Sequence, residues 1–274
     1  MMKVNKSSMQ SELTGHIRTR WAGQPVCVYE SIDSTNAEAA RLAEKGAVHG
    51  TVVTADTQTA GRGRRGRSWE SPAGDNLYFS LLLRPDIAAD KAPMLTLVMA
   101  VATARAIEGM TEQETGIKWP NDLVMNKKKV CGILTEMRML QSKIDHVIIG
   151  VGINVRDRIF SEELQDKATS LEAECRDHDK NISGELLLAM ILEEFESLYE
   201  AFVDAGNLTP LLDTYNQMLI NKDREVTVLD PQGAYNAVAR GITATGELVV
   251  ELPDGTSREV FAGEVSVRGI YGYV

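Results

Sequence analysis

The run from Gly61 to Trp69, GRGRRGRSW, places Arg62, Arg64, Arg65 and Arg67 within six positions of a chain whose net charge is −10. Like charges this close repel unless something negative lies among them. Glycine allows close backbone approach and positive φ. Backbone N–H groups and guanidinium forks together suit phosphate or carboxylate. A mobile anion-binding loop closed by an aromatic platform is the chemistry this spacing predicts. A solvated basic loop and an RNA-contacting segment are the plain alternatives, and no second basic stripe supports the latter. Trp69 reads either as a core residue or as a surface for an adenine ring.

Four further groups carry chemistry. In KWPND, Lys118 and Asp122 lie four apart across a proline turn. They are either a surface charge pair, or a lysine for phosphate beside an aspartate that holds Mg²⁺ or orients a ligand. In KVCGILTE, Lys129 opens an apolar strand, where it is either exposed or clamps a carboxylate oxygen. Gly132 in mid-strand, and Gly150 and Gly152 in GVGIN, leave bare Cα atoms, the latter two on one face. A flat ligand, a bulge or a close helix would each explain them. No third glycine completes a dinucleotide fingerprint. The run Asp33-Ser34-Thr35-Asn36 stands at a helix start, where capping and binding of a polar group coexist. Gln58 precedes the arginine loop. His16, His49, His146 and His178 do not cluster, and no Ser–His–Asp or Cys–His arrangement stands out.

These groups need a scaffold. PVCVYE (25–30), TVVTAD (51–56) and NLYFSLLL (76–83) predict strands, with a helix over 31–46 capped by Asp33 or Ser34 and ended by Gly46. An apolar stretch from Ala92 to Glu108 predicts a buried helix closed by Gly109. KVCGILTEMR (129–138) and HVIIGVGINV (146–155) read as a hairpin. Helical spacing from Ser183 to Ala205 continues into Leu211–Leu219. Beyond 221–224 short β-rich runs alternate with Gly-containing turns, as in a small barrel. The order favours α+β: a tail over 1–20, a catalytic domain over 21–222 and a C-terminal barrel over 223–274.

The composition, 43% hydrophobic and 25% charged, is that of a globular chain. Its acidity argues against non-specific nucleic-acid binding. Three separated cysteines without CxxC spacing argue against a disulfide framework or zinc site and fit a reducing cytoplasm. The polar N-terminus lacks a secretory h-region, and the apolar stretches fall short of the ~20 residues of a membrane span.

Taken in order, DSTN, Q-x-AGRGRRGRxW, KWPNDL, K-x-x-GIL-x-E and GxGIN resemble the biotin–protein ligases, from about Trp21 to AGEVSVRG (262–269). The resemblance implies a mixed-sheet catalytic domain of the biotin/lipoate ligase type with an SH3-like C-terminal barrel. It implies ATP-dependent formation of biotinyl-5′-AMP, then transfer of biotin to a lysine of a biotin carboxyl carrier domain. Ser34, Thr35, Asn36, Gln58, Arg62, Gly63, Arg64, Lys129, Gly132, Gly150 and Gly152 are thereby implied at biotin. Arg62, Arg64, Arg65, Arg67, Trp69, Lys118, Asn121, Asp122 and Asn154 are implied at ATP, Trp69 against the adenine. Arg64, Lys129 and Asp122 take the catalytic roles, and Asp122 is the candidate for Mg²⁺, which accompanies the triphosphate with no tightly bound metal. About 20 residues precede the resemblance, so the expectation is a monofunctional cytoplasmic ligase without DNA or membrane binding, and a homodimer. A lipoate-type ligase and a non-enzymatic biotin-sensing regulator are the alternatives.

Overall fold

Runs rich in β-branched and aromatic residues build the centre of the molecule. The structure, a computed structural model, describes residues 13–74, 76–177, 181–262 and 266–269. Most of the expected N-terminal tail, His178 and Gly263–Val265 of the AGEVSVRG stretch lie outside them.

Among the described residues seven strands form one mixed sheet in the order β1-β2-β3-β7-β6-β5-β4. These are β1 (Val26–Ile32), β2 (Val52–Gln58), β3 (Asn76–Leu83), β4 (Gly116–Lys118), β5 (Asp122–Met125), β6 (Lys128–Leu140) and β7 (Lys143–Asn154). Only β1 and β2 pair in parallel; the other neighbours are antiparallel. Helix α1 (Thr35–Glu44) covers one face through Ala39 and Ala43 against Val53, Leu82 and Ile148. Helices α2 (Met94–Thr111) and α3 (Gly184–Ala205) enclose the main core on the other face.

The ends of α1 define where the site lies. Its C-terminus closes with Gly46 N–H on the Ala43 carbonyl and Ala47 N–H on that of Leu42, with Gly46 at φ 87°. This is the Schellman arrangement that glycine favours. At the N-terminus neither expected side chain caps: Ser34 holds the cap position without a side-chain bond. Gln58 replaces them, its Oε1 accepting from the Thr35 N–H at 2.8 Å and the Thr35 hydroxyl at 3.2 Å. Beyond that end α1 no longer covers the sheet.

The apolar helix α2 runs past Gly109 to Thr111 and ends at Glu112, φ 56°. Gly109 instead admits α3, since a Cβ there would lie 3.1 Å from Met190. The segment Ala89–Thr111 is long and apolar enough to cross a membrane, contrary to the sequence reading, but 83% of its apolar window is buried in the fold. On α3, Glu196 accepts from the backbone N–H groups of Arg20, Trp21 and Ala22 at 2.8–3.0 Å. Trp21 packs there against His49, Phe195 and Tyr199.

After α4 (Leu212–Met218) a second sheet begins at Arg224. Among the described residues its five strands are β8 (Arg224–Leu229), β9 (Tyr235–Ile242), β10 (Leu248–Glu251), β11 (Ser257–Val260) and β12 (Ser266–Gly269). They are antiparallel in the order β11-β10-β9-β8-β12, a small SH3-like unit. It is fastened to the turn between β4 and β5 by the Trp119 indole on the Gly246 carbonyl at 3.0 Å, and to α4 by Asn216 Oδ1 on the Ile242 N–H at 2.9 Å.

Candidate active site

The site occupies the part of the sheet that α1 leaves bare. Gly132 on β6 pairs directly with Gly152 on β7, and Gly150 lies two residues further along. Larger side chains would collide there. A Cβ on Gly150 would fall 2.1 Å from Asn36 Oδ1, one on Gly152 2.6 Å from Trp69 Nε1, and one on Gly132 2.9 Å from the same indole. The glycines do form a flat floor. In this structure, however, the Trp69 indole itself lies on it, where the sequence reading expected the ligand on the floor and Trp69 against adenine.

Asn36, 4% exposed, is held by two strands, β3 and β6. Its Oδ1 accepts from Ser80 Oγ at 2.6 Å, and its Nδ2 donates to Glu136 at 2.6 Å and to the Leu134 carbonyl at 3.4 Å. Ser34 and Thr35 are equally buried. Gln58, while capping α1, donates to Ser71 Oγ at 2.9 Å, which ties the helix end to the base of the arginine loop.

That loop is a closed hairpin. Trp69 N–H meets the Gly61 carbonyl at 2.9 Å, Gly63 N–H meets that of Arg67 at 2.7 Å, and Arg62 bridges Ser68. Arg65 takes a left-handed φ of 60°, a costly conformation for a residue with a Cβ. Arg62, Arg65 and Arg67 are exposed, so solvent relieves their repulsion. Arg64 turns inward. Its Nη1 donates to Asn121 Oδ1 at 2.9 Å, and its Nη2 to the Ala262 carbonyl of the C-terminal unit. Burial lowers the guanidinium below its ordinary value, and the Asp122 charge opposes this.

Asn121 is fixed to Ile133 twice, through its Nδ2 at 3.0 Å and its own carbonyl at 2.9 Å. The neighbouring Asp122, first residue of β5, carries an Oδ1 only 2.5 Å from Lys129 Nζ. That ammonium lies 5.2 Å from the Trp69 ring centroid. Lys118 is buried as well, and Asn154 donates to the Thr169 carbonyl at 3.0 Å. Cys131 is no nucleophile: burial pushes its thiol far up.

Two cavities meet here. The smaller, about 50 Å³, is lined by every residue implied at biotin, from Ser34, Thr35, Asn36 and Gln58 to Gly150 and Gly152. The larger, about 920 Å³, is lined by every residue implied at ATP except Arg62, which faces the smaller one. Gly63, Arg64, Trp69, Asn121 and Lys129 line both. The sequence reading missed Arg158, Phe160 and Lys167 in the larger cavity; their segment carries no spacing that marks them. Among the described residues no three His, Cys, Asp or Glu side chains converge on a metal position. The single carboxylate of Asp122 suits a cation carried in on a triphosphate, which takes one or two protein carboxylates plus phosphate oxygens.

A mixed sheet, a cationic hairpin and a lysine between two cavities define an acyl-activating ligase of the biotin/lipoate class. Residues 28–154 match the biotin/lipoate A/B protein ligase family, and residues 223–268 match the biotin protein ligase C-terminal domain. The chain belongs to the biotin protein ligase family. It is 36% identical over 260 residues to the bifunctional ligase/repressor BirA of Bacillus subtilis, covering 94% of this chain and 78% of that one. It is 31% identical over 270 residues to the biotin–[acetyl-CoA-carboxylase] ligase of Mycobacterium tuberculosis, 96% and 95% covered. The Aquifex aeolicus biotin protein ligase, solved with biotin and ATP, superposes with a TM-score of 0.78 at 31% identity, covering 90% of this chain and 99% of that one.

Proposed function

We propose that this chain activates biotin with ATP and transfers it to a lysine of a biotin carboxyl carrier domain. A biotin carboxylate oxygen attacks the α-phosphorus of ATP; the bond to the bridging oxygen breaks, giving biotinyl-5′-AMP and pyrophosphate. The acceptor's neutral ε-amine then attacks the acyl carbon, AMP leaves with the bonding pair, and the amine proton passes to solvent. The observation that carries this reading is the shared wall. A carboxylate held over the glycines and a nucleotide in the larger cavity would meet at Lys129, Arg64 and Asn121. Lys129 exchanges its Asp122 partner for the carboxylate and then for the acyl-phosphate oxygens, where charge gathers in the transition state. Arg64 bridges the hairpin to Asn121 and holds it over the anhydride, excluding water.

At about 50 Å³ the smaller cavity is well under the ~300 Å³ of a ligand pocket. Biotin therefore enters as the Trp69 indole leaves the floor, which frees the indole to face the nucleotide. Mg²⁺ belongs to this reading as the triphosphate's counter-ion beside Asp122. A cytoplasmic setting is supported by three cysteines far apart in the chain and without CxxC spacing. A homodimer is supported by β6, whose residues 133–140 pair with β7 but not with β5, and which exposes Met137, Met139 and Leu140. Sedimentation of the protein with and without biotin tests it.

The deciding experiment is mass spectrometry of a carrier domain after incubation with the protein, Mg-ATP and biotin. Addition of one biotinyl group to a single lysine is expected. Labelling with lipoate alone would overturn the substrate, and no labelling with either would overturn the activity.

A further inference from the structure

We infer that Arg158 recognises the base of the nucleotide. The inference rests on the nucleotide reading of the larger cavity. Arg158 follows the end of β7 by four residues and lines that cavity, with its side chain only 13% exposed. Its Nε–H is buried and has no acceptor among the described residues. Buried unpaired donors are costly and demand explanation. One on the wall of a cavity calls for a ligand rich in acceptors.

Phosphate oxygens and purine ring nitrogens both answer that description. The surroundings favour the purine. The guanidinium lies over the Phe160 ring, 4.5 Å from its centroid, so a flat apolar surface stands beside its N–H groups. That arrangement suits the edge of a planar heterocycle. The Glu70 carboxylate, 3.4 Å from Nη1, already answers part of the Arg158 charge. The strong cationic demand of a triphosphate falls instead on Lys118, Lys129, Arg65 and Arg67 in the same cavity. Arg158 therefore acts through directed hydrogen bonds more than through net charge.

The test uses the full chain with Arg158→Gln, which removes the fork, and Arg158→Lys, which keeps charge and stem. Biotin-dependent exchange of pyrophosphate into ATP reads the KM for ATP. Calorimetry reads the affinity for biotin alone and for a sulfamoyl analogue of biotinyl-AMP, which lacks the β- and γ-phosphates. Both variants are expected to raise the KM for ATP about tenfold or more and to weaken the analogue by a similar factor. Biotin affinity is expected to stay within about twofold of the parent. An unchanged KM in both variants overturns the inference. Loss on ATP but not on the analogue puts the contact on the leaving phosphates and overturns the base assignment. An equal loss of biotin affinity makes Arg158 a packing residue and overturns it too. Failure of the parent protein to support exchange would instead defeat the enzymatic reading, before any variant is compared.

Discussion

Alanine at Gly150 and at Gly152 should damage the protein in different ways, although the two glycines lie two residues apart on one strand. Neither sits in the left-handed region, so alanine meets no backbone obstacle. At Gly150 the new methyl carbon falls 2.1 Å from Asn36 Oδ1 and 2.9 Å from its Cγ. The amide has to move by more than an ångström, breaking the Ser80 bond and the Glu136 bond, both 2.6 Å. A neutral hydrogen bond contributes about 1 kcal/mol net and one to a carboxylate about 1.5–3. Reduced freedom of the unfolded chain returns ~0.4–1 kcal/mol. The net loss is about 2–3 kcal/mol, or ~4–12 °C in melting temperature for a domain of this size. At Gly152 the methyl carbon meets Trp69 Nε1 at 2.6 Å, but that nitrogen has no acceptor to lose and the indole ends a loop. Melting should stay within about 2 °C of the parent, while the methyl group standing on the floor lowers biotin affinity about tenfold or more. Differential scanning fluorimetry and biotin calorimetry on the two variants separate the effects. A Gly150→Ala protein that melts and binds like the parent, or a Gly152→Ala protein that binds biotin normally, would refute the floor.

Lys129→Gln should cut biotin-dependent pyrophosphate exchange roughly 10²–10³-fold, the scale of losing one preorganised charge donor; parental exchange removes Lys129 from the chemistry. Arg64→Ala breaks the bonds to Asn121 and Ala262, so biotinyl-AMP should escape about tenfold faster or more. Bystander lysines mixed with the protein report the escape, and labelling at the parental level would end the clamp role. Burial alone would raise the Glu196 carboxyl, but the N–H groups of Arg20, Ala22 and Trp21 outweigh it and hold the folded value below the ordinary one. Its stabilisation is therefore present above the unfolded-state value and lost as pH falls through the folded-state one. The melting-temperature gap between the parent and Glu196→Gln should shrink between about pH 5 and pH 3; a constant gap contradicts this sign.

What the chain spells out locally was legible before any coordinates. NLYFSLLL coincides with β3 residue for residue, because a short leucine-rich and aromatic run between turn formers has one good local solution. Gly46 marks the end of α1 and Asn221 stands just before the second sheet, since backbone freedom at turns is a property of single residues. The cationic character of GRGRRGRSW, and the bare Cα atoms of Gly132, Gly150 and Gly152, likewise follow from residue type and strand alternation. Contacts between distant segments were not legible. That Gln58 caps α1, that Asn36 leans on Gly150, that Trp69 rests on the glycines, that Arg64 reaches Ala262 and that Arg158 enters the larger cavity all join residues far apart in the chain. Each depends on which faces the sheet order brings together. A side chain's partner is set by the packed arrangement of whole elements, and the sequence around it records only its reach and its charge.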